Sequence, residues 1–306
     1  MDDLKELAGQ ARKISYQNFG KRITFYIPGM FCYNGEWGNY PAISLTGRNC
    51  RLNCPHCEGK LLKTMIPART SQELLRVASD LEKRKVAGFL LTGGFDKSLS
   101  LPWSDFAPAI EEIKNKTNLK IIVHCGIVDT KTARVLKKTK IDQALIDVIG
   151  DDRTLKKIYK TEMGVQDIFQ TIENLIAEDI LVVPHIVIGL NYGKITGEYE
   201  AIERLKKYKF KTLVFVSLMP LPDTPMEKIE PPDAQKIARI IAWARIQLPD
   251  TIMSLGCARK RGDWGIEFWA LDCGINRIAL PNDETVARAK EYNLKIEWKK
   301  TCCSLD

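Results

Sequence analysis

The chain has 306 residues, 45% hydrophobic and 27% charged, with a formal net charge of +8. That composition excludes a disordered or fibrous chain, no apolar run reaches membrane-spanning length, and the charged start Met1-Asp2-Asp3-Leu4-Lys5-Glu6 lacks a signal-peptide core, so a cytoplasmic location without membrane contact is expected. The positive excess suits an acidic partner and equally a well-solvated, heat-adapted surface; without an arginine–aromatic stripe, nucleic acid is not expected as a partner.

From the N-terminus, a helix is expected over about Asp2–Tyr16, then a Gly-rich aromatic segment, Pro28–Tyr40. Residues 1–40 read as a cover over one end of the fold. Strand-like segments follow at Ala42–Gly47, Gly88–Gly94, Lys120–Gly126, Gln143–Gly150, Leu181–Gly189, Lys211–Pro220, Thr251–Ala258 and Arg277–Pro281. They are short, rich in Val and Ile, and bounded by Gly or Pro.

Helical patterns lie between them. Thr70 and Glu73 form a capping box ahead of the apolar stripe Leu74, Val77, Ala78 and Leu81. Others run over Ser104–Asn115, Thr130–Lys138, Gly164–Ala177, Gly197–Tyr208 and Asp233–Leu248. The alternation predicts an α/β fold, a (βα)8 TIM-type barrel over residues 41–290, either closed or partly open. A cysteine-containing tail, 291–306, follows it.

Nine unevenly spaced cysteines argue against a disulfide framework and for metal or cluster ligation. The strongest signal is Cys50-Arg51-Leu52-Asn53-Cys54-Pro55-His56-Cys57, three thiols in a loop just after the first barrel strand. A cuboidal cluster takes four ligands, so three clustered cysteines leave one iron open. A zinc knuckle is the alternative, but it needs a second cysteine pair at matching spacing, and Cys302-Cys303 has no intervening residue.

The triplet's spacing of three residues, then two, with His56 before the last cysteine, resembles the signature of radical S-adenosylmethionine enzymes. The resemblance implies a [4Fe–4S] cluster on Cys50, Cys54 and Cys57. It also implies S-adenosylmethionine on the open iron and a 5′-deoxyadenosyl radical that removes hydrogen from an unactivated carbon. The family's Gly-Gly-Glu turn has its counterpart at Gly93-Gly94, with Phe95 where the acid is expected and Asp96 one further on. Gly93 and Gly94 are thereby candidates for binding the cofactor. His124, Asp147, His185 and Arg259 join them as polar residues near strand ends, where barrel enzymes place their chemistry. Cys125 and Cys257 fall there too, and any one of these could instead be a satisfied core residue.

The segments Pro184–Leu190, Leu218–Met226 and Gly256–Gly262 look like the barrel of biotin synthase and its relatives, over roughly residues 40–285. Within that group, the stretch Pro41–Gly47 and the cysteine-bearing seventh strand look most like a subunit of the archaeal-type two-component lipoyl synthase. That resemblance implies sulfur insertion at carbon 6 or 8 of an octanoyl chain on a lipoyl carrier domain. It also implies an electron donor, a second related subunit, and a second, auxiliary [4Fe–4S] cluster as sulfur source. Cys257, Cys302, Cys303 and Cys32 are its candidate ligands, with Ser304 as an oxygen ligand and Cys125 and Cys273 in reserve. Three rivals stay open: sulfur insertion into dethiobiotin, a radical mutase of the methylornithine synthase type, and a non-catalytic metal-binding subunit.

Overall fold

Short Val- and Ile-rich runs between Gly, Pro and polar turns form parallel strands, and the amphipathic stretches between them form helices that cover the sheet. The computed structural model describes residues 2–29 and 31–305; Met30, within the expected Pro28–Tyr40 segment, lies outside the described residues. Helix α1 (Asp2–Phe19) leads to β1 (Arg22–Tyr26), the hairpin β2 (Cys32–Tyr33) and β3 (Glu36–Trp37), and β4 (Ala42–Ser44). The cysteine loop ends on β5 (Ile66–Pro67). There follow α2 (Ser71–Lys83), β6 (Gly88–Thr92), α3 (Trp103–Lys116), β7 (Lys120–His124), α4 (Thr130–Lys138) and β8 (Gln143–Asp147). A short α5 (Asp152–Thr154) runs into one π-helical turn, Leu155–Tyr159. Then come α6 (Val165–Ala177), β9 (Val182–Ile188), α7 (Glu198–Leu205), β10 (Thr212–Ser217), α8 (Ala234–Gln247) and β11 (Ile252–Leu255). The chain closes with α9 (Trp264–Asp272), β12 (Arg277–Ala279), α10 (Asp283–Glu291) and β13 (Lys295–Lys299).

The large sheet has the order β13-β1-β12-β11-β10-β9-β8-β7-β6-β4-β5, every described pairing in it parallel. The expected eight strands are all present, as β4 and β6 to β12. Their expected C-terminal residues, such as Gly94, Gly126 and Gly150, leave the ladder and turn into loops. The fold is a partly open TIM-type barrel, with β13 and β5 as its edges. Asn39 helps span the opening: its N–H donates to Lys300 O (2.6 Å) and its carbonyl accepts from Ala87 N–H (3.2 Å).

Two strands depart from expectation. Residues 1–40 do more than cover the barrel, because β1 inserts between β12 and β13. The tail contributes β13, a mostly exposed edge strand carrying Lys295, Glu297 and Lys299.

Strand alternation divides the core into two layers. Outward residues such as Phe89, Leu91, Ile121, Val123 and Ile146 pack under the helices. Inward ones, Ile122, Leu145, Val183, Val214 and Ala279, form a second cluster with Tyr26 and Tyr40. Cys303 and Leu305 complete it, so this stretch of the tail enters the barrel. No helix is long and apolar enough to cross a membrane, among the described residues.

At the mouth, Arg259 and Glu267 form a fully buried ion pair (2.7 Å). Arg259 also donates to Gly256 O and Leu280 O, while Glu267 accepts from Asn282 N–H and the Thr285 hydroxyl. The pair therefore ties the loops after β11 and β12 together. Glu267→Ala leaves a buried guanidinium uncompensated, which should cost about 3–5 kcal/mol in urea unfolding of the apoprotein. A loss below about 1 kcal/mol would show that the pair does not hold these loops.

Candidate active site

The cysteine loop begins where β4 ends. Tight turns close it: Cys57 N–H and Glu58 N–H donate to Cys54 O (3.1 and 2.9 Å), and Lys60 N–H donates to Cys57 O (2.8 Å). All three cysteines are free thiols, Cys54 buried and Cys50 and Cys57 half-buried. Burial, together with the neighbouring cysteines, pushes the pKa of Cys54 and of Cys57 upward. The irons of a cluster carry the positive charge that converts such crowded thiols to thiolates, so the donor set fits a [4Fe–4S] group. Among the described residues no three His, Cys, Asp or Glu side chains are gathered to hold one metal ion.

The Gly93-Gly94 turn is seated directly on this loop. A Cβ at Gly94 would lie 2.0 Å from Asn49 O and 2.6 Å from the Cys50 Cβ, so only glycine fits there. Gly94 N–H donates to Thr46 Oγ1 (2.7 Å) and Arg51 N–H to Phe95 O (3.0 Å). Asp96, one residue beyond Phe95, is engaged within its own loop. Its carboxylate accepts from Ser98 N–H and Ser100 N–H (both 2.9 Å) and caps its own loop.

Inside the mouth, β7, β8 and β9 present His124, Asp147 and His185 in sequence. His124 Nε2 lies 3.3 Å from Asp147 Oδ1, and the two imidazole centroids are 5.9 Å apart. Burial opposes charge on His124, but Asp147 outweighs it and raises the imidazole's pKa. Burial likewise works against the Asp147 carboxylate, yet His124 holds it below its ordinary range. His185 goes the other way, to about 4, through burial and the neighbouring His124. It is therefore neutral near pH 7. Its Nδ1 faces Val183 O (3.1 Å), which can only accept, so Nε2 is left to accept the Ser304 hydroxyl at 3.3 Å.

Sequence reasoning missed Tyr159. The π-turn delivers it to a mainly apolar cavity shared with Phe95, His124, Asp147 and Ile168. Burial raises its pKa well above normal, and Asp147, Cys54 and Cys57 add to the effect. Its ring stands edge-on to His56 (6.4 Å), whose buried Nδ1 has no partner. No periodicity marks this tyrosine, because a π-turn breaks the helical repeat.

The tail brings two of the five candidate auxiliary ligands to a third, and Ser304 to His185. Cys302 and Cys303 lie beside Cys257, near enough for their charges to interact. Arg277 holds the tail in place by donating to Cys303 O (3.1 Å) and Leu305 O (3.4 Å). A hydrogen bond from Cys303 lowers the Cys302 pKa and correspondingly raises that of Cys303. Ser304 is fully buried. Cys32 is not brought to this cluster: it is exposed on the β2–β3 hairpin. Arg259 is committed to Glu267 rather than turned toward a ligand. Cys125 and Cys273 are buried in the outer core, their thiols bonded to backbone carbonyls.

A curled βα barrel with a three-cysteine loop at its mouth, and a Gly-Gly turn packed against that loop, defines a class of barrel enzymes built around an iron–sulfur cluster. The model of the radical SAM superfamily matches residues 44–196, half of the chain, and the chain belongs to that superfamily. Membership implies a [4Fe–4S] cluster and S-adenosylmethionine. The model of the Biotin and Thiamin Synthesis associated domain matches residues 215–295, supporting the biotin synthase-like branch.

Curated relatives agree. The chain is 28% identical over 159 residues to the biotin synthase of Vesicomyosocius okutanii, covering 51% of this chain and 48% of that one. With the biotin synthase of Leptothrix cholodnii it shares 22% over 242 residues, 77% of this chain and 69% of that one. The chain spans about half the length of the Vesicomyosocius enzyme and of the Ruthia magnifica enzyme (50%). Solved structures show the same fold. Methylornithine synthase superposes with a TM-score of 0.66 at 16% identity, covering 96% of this chain and 89% of that one. The FeFe-hydrogenase maturase of Carboxydothermus hydrogenoformans gives 0.70 at 18%, covering 97% and 72%.

Two measurements probe this geometry. Gly94→Ala should displace Cys50 and give a folded protein that lacks the iron of one cluster, about four atoms per chain, with the same loss expected for Cys54→Ala; full iron incorporation would contradict the close approach. Asp147→Asn should lower the His124 pKa by about 1–3 units, read by NMR titration of the imidazole. An unshifted titration would remove Asp147 as the cause.

Proposed function

We propose that this chain inserts sulfur into an unactivated C–H bond of an octanoyl chain carried on a lysine, as one component of a two-subunit lipoyl synthase. The observation that carries sulfur insertion is the tail: Cys302 and Cys303 enter the barrel beside Cys257, with Ser304 buried next to them. These residues would hold the auxiliary cluster that donates sulfur. When bound, the first cluster and S-adenosylmethionine supply an oxidant able to remove hydrogen from an unactivated carbon.

The chain's own residues prepare the space for that step. The inward layer of Ile122, Leu145, Val183 and Val214 gives the interior an apolar wall, which suits an alkyl chain. Neutral His185 accepts the Ser304 hydroxyl and so helps fix the tail. The His124–Asp147 pair places a compensated charge at the mouth. The carrier domain, the second related subunit and an electron donor are the partners that this reading requires.

A second reading, sulfur insertion into dethiobiotin, is favoured by the curated relatives and by the match over residues 215–295. Anaerobic reconstitution followed by assay separates the two. About eight irons per chain are expected, where a mutase would hold about four. Thiolated octanoyl-lysyl peptide is the expected product, and thiolated dethiobiotin instead would transfer the assignment to the second reading. Four irons and no sulfurated product would reject both.

A further inference from the structure

Many cations of this chain have a local reason for their place. Basic residues occupy the last turns of α2, α3, α4, α7, α8 and α10, where the helix dipole favours them. Arg48, Arg51, Arg69 and Arg76 have no such reason. All four are exposed, and no side chain among them makes an ion pair or hydrogen bond with the described residues. Arg69 directly precedes Thr70, the N-cap of α2, where the positive end of the helix disfavours a cation.

These residues surround the mount of the cluster. Two adjoining surface grooves share Thr46, Asn49 and Arg69 as a common wall; Arg48 and Arg76 line one, Arg51 and Gly94 the other. Gly94 is the residue packed against Cys50. One layer of backbone thus separates the arginine-lined surface from a cysteine of the triplet. Three acids line the same grooves, and each is engaged away from the arginine side chains: Glu73 accepts from Arg69 N–H (2.6 Å), Asp80 pairs with Lys83 (3.6 Å), and Asp96 accepts from Ser98 and Ser100 N–H. With Lys83 counted, five cations face these three carboxylates, so the face keeps a positive excess. Leu61, 41% exposed, offers an apolar contact in the same loop.

We propose that the face formed by Arg48, Arg51, Arg69 and Arg76 docks a small acidic one-electron carrier protein. This rests on the reading that the triplet holds a cluster which must be reduced. One electron leaves the carrier's reduced cofactor and enters the cluster; the carrier is oxidised by one electron, the cluster is reduced by one, and no bond or proton moves. Complementary charge orients the carrier over the shortest path and speeds encounter at low salt.

The test uses the reconstituted full chain, photoreduced plant-type [2Fe–2S] ferredoxin as the acidic carrier, and dithionite as a small reductant that needs no docking. In Arg48→Glu/Arg69→Glu/Arg76→Glu, the ferredoxin-driven reduction rate should fall at least about tenfold at low ionic strength and approach the wild-type rate at high salt. Calorimetric affinity for oxidised ferredoxin should weaken by at least about tenfold. The dithionite rate and the iron content should not change. A charge-matched variant at the far turns, Lys138→Glu/Lys207→Glu/Lys209→Glu, should keep both ferredoxin rate and affinity within about twofold, separating docking from net charge. Equal ferredoxin rates and affinities in the arginine variant and the wild type overturn the proposal, as does an equal fall with dithionite. So does loss of affinity only for an acidic substrate-carrier domain, which would assign the face to that partner. Failure of dithionite to reduce the wild-type cluster overturns instead the reading beneath it.

Discussion

The approach of the Gly93-Gly94 turn to the cysteine loop is the constraint on which the barrel mouth depends. A strand-end turn and a long loop from the preceding strand meet with no room for a Cβ between them. Thr46 and Phe95 then stitch the two backbones together. The loop itself carries only a short 3-10 turn and left-handed residues at Asn53, Glu58 and Gly59. Its far side is tied to the segment after β10, where Met226 N–H donates to Pro55 O (3.2 Å) and Lys60 Nζ to Pro222 O and Asp223 O (2.6 and 2.8 Å). Its cysteines are placed by the second repeat of the barrel as much as by their own sequence. Cluster position and barrel geometry are thereby coupled through backbone, which deforms less than side chains do.

The open edge of the sheet sets the second condition. A fully closed eight-strand barrel fills its centre with its own side chains. Here the inward strand residues are of modest size, and the space is finished by Cys303 and Leu305 of the tail. Burying such apolar groups stabilises by roughly 1.5–3 kcal/mol for a leucine-sized side chain, enough to hold a short segment against its ordering entropy when Arg277 also binds two of its carbonyls. The same insertion that fills the core carries two thiols and a hydroxyl to Cys257 and His185. The packing of Cys303 and Leu305 and the placement of Cys302 and Ser304 thus come from one short stretch, which explains how a cysteine-bearing segment comes to be buried.

Much of this was legible in the sequence because short Val- and Ile-rich runs bounded by Gly or Pro are a local signal. They located the eight central strands and put His124, Asp147 and His185 near strand ends; the structure adds that these three share the inward face of Ile122, Leu145 and Val183. The triplet and the Gly-Gly turn were equally local. What was missed depends on partners distant in the chain. Arg22-Ile23-Thr24-Phe25-Tyr26 has the β-branched and aromatic content of a strand between Gly20 and Pro28, yet nothing local says that it inserts between β12 and β13. Helix α9 is apolar on several faces, so no 3.6-residue stripe announced it. Arg259 looked like a ligand contact from its position at a strand end, but its destination is Glu267 in the following helix. Cys32 was grouped with the other cysteines by residue type alone, and the hairpin keeps it at the surface.

The departure at Phe95 has an electrostatic counterpart. An acid in that position would extend toward a cavity that already buries the carboxylate of Asp147. Two carboxylates in one mainly apolar pocket raise each other's pKa, and His124 is the imidazole paired with Asp147 there. Phe95 instead stands edge-on to His124 (6.2 Å), adding contact area without charge. The buried negative charge at the mouth lies two strands further round the barrel, at the end of β8, and His124 holds its pKa down. An apolar ring at the turn and the Asp147–His124 pair are therefore compatible in one pocket, where a second acid would compete with the first. The turn keeps its close backbone approach at Gly94, where a Cβ finds no room.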